Sequence, residues 1–320
     1  MFGRGGSGKS TCTVLLAKAL AAADYDVCVL DADSTNEGLP HALGADHAPD
    51  SLLDWLGGTV FSGGLVTCPV DDPVPLAGAR VRLDQLPSRY FIQTTDGIRI
   101  FQAGKMGTLG PRAGCDGPMT KIARDFSLET DGSGVVTLID FKAGIEDASR
   151  GVVTSLDWVV LVIDPSYAGV QAAVTMKTLL EEMHRGALPA TQHLHSPDLV
   201  QLLEDSYRQA RTKGALCVLN KVTDAETEYQ VWQLLLAAGL HATASIREDP
   251  QIRTAWLERG PVSSVHALAE AAKIVRALEE GRGAFVETVS GYAATARSYG
   301  SGPQVTRPWS NCGHRSCRWI

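Results

Sequence analysis

Residues 3–11, GRGGSGKST, constrain this chain more than any other stretch. Gly3, Gly8, Lys9 and Ser10 fit G-x-x-x-x-G-K-[ST]. Glycines let the backbone curl until consecutive N–H groups point inward at an anion. In this pattern the lysine reaches β- and γ-phosphates and the hydroxyl ligates Mg²⁺. The candidate triphosphate-binding set is therefore Gly3, Arg4, Gly5, Gly6, Ser7, Gly8, Lys9, Ser10 and Thr11. Residues 9–23, KSTCTVLLAKALAAA, read as the following helix, whose N-terminus adds partial positive charge beneath the phosphates.

Such a loop hangs from the end of a buried strand. Only Met1 and Phe2 precede it, so the first strand reads as truncated. The expectation is that the start given is too late and that a strand such as V-x-I-x-x lies upstream. The alternative is a decayed copy with poor nucleotide affinity.

Short apolar, β-branched runs recur downstream. They are DVCVLDAD ending at Asp31 and Asp33, VVTLIDFKAG with Asp140, WVVLVIDPS with Asp164, and ALCVLNKV with Asn220 and Lys221, followed by LHATASI. Residues 169–182, 224–238 and 266–280 read as helices between or after them, the second opened by a Thr223-x-x-Glu226 capping box. Continuous apolar runs alternating with helices predict an α/β fold, a mostly parallel sheet flanked by helices. Ligands bind beyond the carboxyl ends of such strands, where these polar residues gather.

Residues 45–112 are rich in Gly, Pro and Asp. Within them SLLDWLGG predicts a short helix and GIRIFQAG a strand; the rest reads as irregular. Residues 183–212 read as an insertion around a helix. From about residue 288 the chain carries four arginines, no acid and no period. The predicted organisation is an ATPase domain over 1–285 and a disordered tail over 286–320.

The chain has 320 residues, 44% of them hydrophobic, and a net charge of −7. This mild acidity argues against general nucleic-acid or anionic-membrane binding, and no apolar run reaches the length of a membrane span. Seven scattered cysteines read as reduced thiols of a cytoplasmic protein. Base choice follows from Asn220-Lys221-Val222-Thr223: guanine-selective sites place a carboxylate where Thr223 stands, so ATP is expected over GTP, with Asn220 toward adenine.

GRGGSGKST resembles the deviant P-loop of the MinD, ParA and nitrogenase-iron-protein class, usually G-K-G-G-x-G-K-[ST]-T. LDADSTNEGL and DFKAGIEDASRG resemble that class's two switches. Within the class, AGCDGPMTKIARDF, DFKAGIEDASRG and VIDPSYAGVQAA are most similar to the maturation ATPases of carbon monoxide dehydrogenase.

The resemblance implies a homodimeric, Mg²⁺-dependent ATPase acting on a metalloenzyme client. It implies that Arg4, at the signature lysine position, reaches the partner's phosphates, and that Asp33 orients the attacking water. It further implies that Asp140 holds Mg²⁺ through its water shell and that the Gly144 N–H senses the γ-phosphate. Arg4, Lys9 and Asp33 are thus the candidate catalytic residues.

The maturation ATPases place Cys-x-Cys at their dimer interface. Here Cys115 is followed by Asp116 and Gly117. Two Cys115 thiolates with two Asp116 carboxylates are a candidate set for nickel or zinc; the alternative is a plain loop cysteine. Lys142 stands where the maturation enzymes have an acid, either as a switch contact or as a solvated lysine. Cys312, His314 and Cys317 read as incidental, since structural zinc sites want four ligands. Two further functions stay open: a spatial organiser of the MinD/ParA kind, and a non-hydrolysing paralogue.

Overall fold

The computed structural model describes residues 1–59, 64–106, 115–130 and 134–281. The expected tail at 286–320, with Cys312, His314 and Cys317, lies outside them.

The loop leads into helix α1 (Lys9–Ala22), then β1 (Val27–Ala32), α2 (Leu39–Leu43) and α3 (Leu52–Trp55). Next come β2 (Arg80–Arg82), β3 (Ile92–Gln93), β4 (Arg99–Gln102), α4 (Gly117–Asp125), β5 (Ser127–Glu129), β6 (Val136–Phe141) and α5 (Glu146–Ser149). The last third holds β7 (Trp158–Ile163), α6 (Tyr167–His184), α7 (Pro197–Arg208), β8 (Gly214–Val222), α8 (Ala225–Ala237), β9 (Ala242–Arg247), α9 (Pro250–Leu257) and α10 (Val265–Glu279).

The two larger sheets, β3-β4-β1-β6 and β7-β8-β9, run parallel throughout except for β3 at the edge. Met1 and Phe2 lie between them. The Met1 nitrogen donates to Ile139 O of β6, the Phe2 N–H donates to Val160 O of β7, and the Val162 N–H donates to Phe2 O. The Phe2 ring stacks on Phe141 with centroids 4.6 Å apart. Two residues thus stand where the loop's strand was expected, and they bridge the two sheets.

Side chains alternate between two covered faces, as a doubly flanked sheet requires. From β1, Val27 and Val29 enter a core with α1, α2 and α10, while Cys28 and Leu30 enter the other with α4, α6 and α8. Helix α1 has no polar stripe because it is buried nearly all round. Cys12, Cys28, Cys68, Cys115 and Cys217 are free thiols among the described residues, and burial pushes those of Cys28 and Cys217 up to about 12.

Two expectations need correction. The cap of α8 is Asp224, whose carboxylate accepts from the Thr227 N–H at 2.8 Å, and not Thr223. A carboxylate at that position outcompetes the hydroxyl one residue earlier, which instead donates to Asp224. The 45–112 stretch is also less irregular than it reads. Its β2 pairs in parallel with β5 in a two-stranded sheet, and strands of three residues are too short to show a period. Helix α7, in the stretch read as an insertion, buries no residue. No helix among the described residues is long and apolar enough to cross a membrane.

Candidate nucleotide site

The loop passes from Phe2 straight into the β7 edge. Gly3 has φ +149°, and a Cβ there would lie 2.3 Å from Val162 O, so only glycine lets the chain leave the sheet at this point. Gly8 opens α1 at φ +90°, and its Cβ would lie 2.1 Å from Asn220 Nδ2. The loop is held from below by the end of β8. Asn220 Nδ2 donates to Ser7 O at 2.7 Å and Lys221 Nζ donates to Gly6 O at 2.9 Å. Lys221 takes φ +60° to do so, a conformation uncommon outside glycine. Asn220, read as an adenine contact, thus spends its amide N–H on the loop backbone.

Lys9 is 6% exposed, and its ammonium donates to Arg4 O at 3.4 Å, across the loop. Burial lowers the Lys9 pKa, while the carboxylates of Asp140 and Asp33 oppose that. Arg4 is half-exposed. Its guanidinium donates to Asp164 Oδ2 at 3.1 Å and Ser166 Oγ at 3.5 Å, within the same chain. Thr11 Oγ1 accepts from Trp256 Nε1 at 2.9 Å, which ties α9 to α1.

Around the loop stand the two segments read as switches. The first follows β1. Asp33 Oδ1 accepts from the Thr35 N–H and hydroxyl at 2.9 and 2.7 Å, folding the segment into a tight turn. That turn aims Asn36 Nδ2 at Ser10 Oγ, 3.0 Å away. The second follows β6. Asp140 is fully buried, and burial raises its carboxyl above the ordinary range, opposed by Ser10, the chain's amino group and Lys9. Asp140 Oδ1 accepts from Thr13 Oγ1 at 3.3 Å, and Oδ2 has no partner. The Gly144 N–H donates to Gly3 O at 3.0 Å, so contact with a phosphate requires that bond to open.

Buried polar atoms without a partner are rare and call for an explanation. Among the described residues several such atoms occur, and four of them, Ser7 Oγ, Ser34 Oγ, Asp140 Oδ2 and Asp164 Oδ1, lie on the loop or the strand ends beside it, while others such as Arg99 Nε, Trp158 Nε1 and Ser245 Oγ lie elsewhere. A polyanion with a divalent cation supplies the partners those four lack: donors for phosphate on one side, carboxylate and hydroxyl oxygens for magnesium on the other. The residues present fit that pair.

Within one chain the two residues of the candidate transition-metal set make other contacts. Cys115 is exposed, and its Sγ accepts from the Gly117 N–H at 3.3 Å. Asp116 accepts instead from Lys142 Nζ at 3.1 Å and Arg150 Nη1 at 2.9 Å. Among the described residues no group of three or more His, Cys, Asp or Glu is placed to hold a metal ion.

Sequence reasoning missed Lys105, Lys221's grip on the loop, and Trp256. Asn36 lies inside the first switch stretch, but its contact with Ser10 spans 26 positions and leaves no signal in the spacing.

Comparison with known proteins agrees with this geometry. A family model described as ParA, NUBPL iron-transfer P-loop NTPase, matches residues 1–56. An uncharacterized ATP-binding protein of Methanocaldococcus jannaschii is 34% identical over 184 residues, 57% of this chain and 72% of that protein. The carbon monoxide dehydrogenase accessory protein CooC of Rhodospirillum rubrum is 28% identical over 197 residues, 57% of this chain and 68% of that one. Among solved structures, the septum site-determining protein MinD with Mg-ADP from Pyrococcus horikoshii superposes with TM-score 0.54 at 18% identity, covering 88% of this chain and 94% of that one. A chain of the MinC:MinD cell division protein complex of Aquifex aeolicus gives 0.53 at 16% identity, covering 94% of this chain and 98% of that one. With its loop, parallel sheet and relatives in agreement, the chain belongs to the ParA family of P-loop NTPases.

Proposed function

We propose that this chain is a Mg²⁺-dependent ATPase that works as a homodimer, with residues 1–285 as its ATPase unit. Its nucleotide cycle would serve the assembly of a metal centre in a client protein. The observation that carries the ATPase reading is the set of unpartnered polar atoms around an intact loop. Support for the metal-centre role comes from the matches to an iron-transfer NTPase model and to CooC.

In this reading the inward N–H groups of the loop take the phosphate oxygens, and Lys9 exchanges the Arg4 carbonyl for the β- and γ-phosphates. Ser10 and Asp140 would hold Mg²⁺, which when bound neutralises charge on the β- and γ-oxygens. Asp33 has one carboxylate oxygen fixed in its turn and the other left to orient water. Arg4 leaves Asp164 to reach the partner's phosphates, and Gly144 leaves Gly3 O. Catalysis of this kind is positioning and charge stabilisation.

Calorimetry tests the proposal. Mg·ATP added to the wild-type chain should release heat, and Mg·GTP should bind more weakly. Lys9→Ala should lower turnover by about a hundredfold or more, the scale of losing one preorganised charge contact. No heat from ATP on the wild-type chain overturns the reading. Nucleotide-dependent co-elution with a metalloenzyme would support the client role. Salt-sensitive retention on DNA or anionic vesicles would favour a spatial organiser instead.

A further inference from the structure

The two hydroxyls that follow Lys9 each accept from a donor carried in from elsewhere in the chain. Asn36 Nδ2 donates to Ser10 Oγ at 3.0 Å, and Trp256 Nε1 donates to Thr11 Oγ1 at 2.9 Å. Ser10 has a task as a magnesium ligand. The bond between Trp256 and Thr11 has none so far beyond joining α9 to α1.

An indole N–H can only donate, and a hydroxyl has one proton and two lone pairs. With the Trp256 N–H on one lone pair, the Thr11 proton is left to find its own acceptor. Thr13 shows the usual outlet on a helix: its hydroxyl donates to Lys9 O, four residues back, at 3.0 Å. For Thr11 the carbonyl four residues back is Ser7 O, which already accepts from Asn220 Nδ2 at 2.7 Å. Among the described residues the Thr11 hydroxyl donates to no other group. The first bond within α1 runs from the Cys12 N–H to Gly8 O, so the Thr11 N–H is also free at the helix start. Thr11 therefore offers two donors, main chain and side chain, at a helix end that attracts anions.

Packing fixes the direction of the indole. Trp256 is partly buried against the core shared by α1, α2 and α10, and Ile252, one turn earlier on α9, is buried in that core. Asp249 caps α9 by accepting from the Gln251 N–H at 2.8 Å, and Ser264, just ahead of α10, donates to the same carboxylate. Beyond α9, the Val262 N–H donates to Ala42 O of α2 at 2.9 Å, and Lys18 of α1 donates to Val262 O at 2.8 Å. Helix α9 is thus held at both ends, with its indole N–H set against Thr11.

We propose that Trp256 is a positioning residue for phosphate binding: its N–H turns the Thr11 hydroxyl so that the Thr11 proton is donated to a phosphate oxygen of the nucleotide. This role rests on the nucleotide reading above.

Calorimetry on the full chain tests it with Mg·ATP and with Mg·tripolyphosphate, which carries the phosphates without a nucleoside. Trp256→Phe keeps the ring and removes the N–H. It should weaken both ligands at least about threefold, Thr11→Val about tenfold, and the double variant no more than Thr11→Val, because one hydrogen bond to a charged group is lost once. Thr11→Ser, which keeps the hydroxyl, should bind as wild type does. A bond that only braces the fold would lower the melting temperature of Trp256→Phe and leave both affinities unchanged. That result, or losses that multiply in the double variant, overturns the proposal. If Trp256→Phe does not fold, the indole N–H region of the proton NMR spectrum decides. Of the resonances from the six tryptophans, one must move both in Thr11→Val and when Mg·tripolyphosphate is added to wild type. A spectrum with no such shared resonance overturns the role. The two readings fail separately. No heat from ATP on the wild-type chain overturns the ATPase, and tripolyphosphate then still decides Trp256; heat from neither ligand overturns both. Wild-type heat with an unaltered Trp256→Phe overturns the role of Trp256 alone.

Discussion

Asp31 is a carboxyl sealed at the end of β1, 1% exposed and beside a lysine ammonium. Burial pushes it up to about 7, against the pull of Lys105. In the unfolded chain it ionises near pH 4. Between pH 4 and 7 the folded chain therefore holds a proton that the unfolded chain has lost. The stability this group contributes is full below pH 4 and is lost as pH rises through 7, at no more than about 1.4 kcal/mol per pH unit. Urea melts at pH 4.5, 5.5 and 6.5 should show that decline in wild type and a shallower one in Asp31→Asn. Equal slopes would show that Asp31 titrates as it does in water. Lys9 and Ser10 could be named as candidates from the fixed spacing of the loop, and Asp33 and Asp140 from the resemblance of their segments; the fold brings the charges of Lys9, Asp33 and Asp140 together. Lys105 and Trp256 could not be named. Lys105 acts mainly on main-chain carbonyls, which leave no mark in a sequence, and Trp256 meets Thr11 from 245 positions away.

At the level of elements, the longer helices and the six-residue strands match their sequence reading within a few residues. Apolar runs and good helix formers dominate there, and the register of β1 on β6 brings Asp31 level with Asp140. Short pieces were illegible for the opposite reason: β2, β3 and β5 are two or three residues each and owe their pairing to neighbours in space. The start of α8 separates local from tertiary control. Asp224 accepts from the Thr227 N–H at 2.8 Å and also holds two hydroxyls. Asp224→Ala should lower the urea midpoint measurably, while Thr223→Ala should lower it clearly less. A urea titration of both variants decides which residue caps the helix.

For the molecule as a whole, two parallel sheets share the site, one bringing Asp31 and Asp140 and the other Asp164 and Asn220. They meet at Met1 and Phe2, immediately ahead of the loop. Continuous apolar runs foretold a sheet flanked by helices; nothing in the spacing foretold that a two-residue bridge would join the halves. The four lone polar atoms of Ser7, Ser34, Asp140 and Asp164 have a thermal consequence. Each is a small debit on the empty fold that an occupant cancels. The protein should gain several degrees once ATP and magnesium reach a hundred times their dissociation constant, where mass action supplies about 2.7 kcal/mol. A melting curve then becomes a gauge of what the cradle accepts, ranking candidate ligands before any turnover is measured.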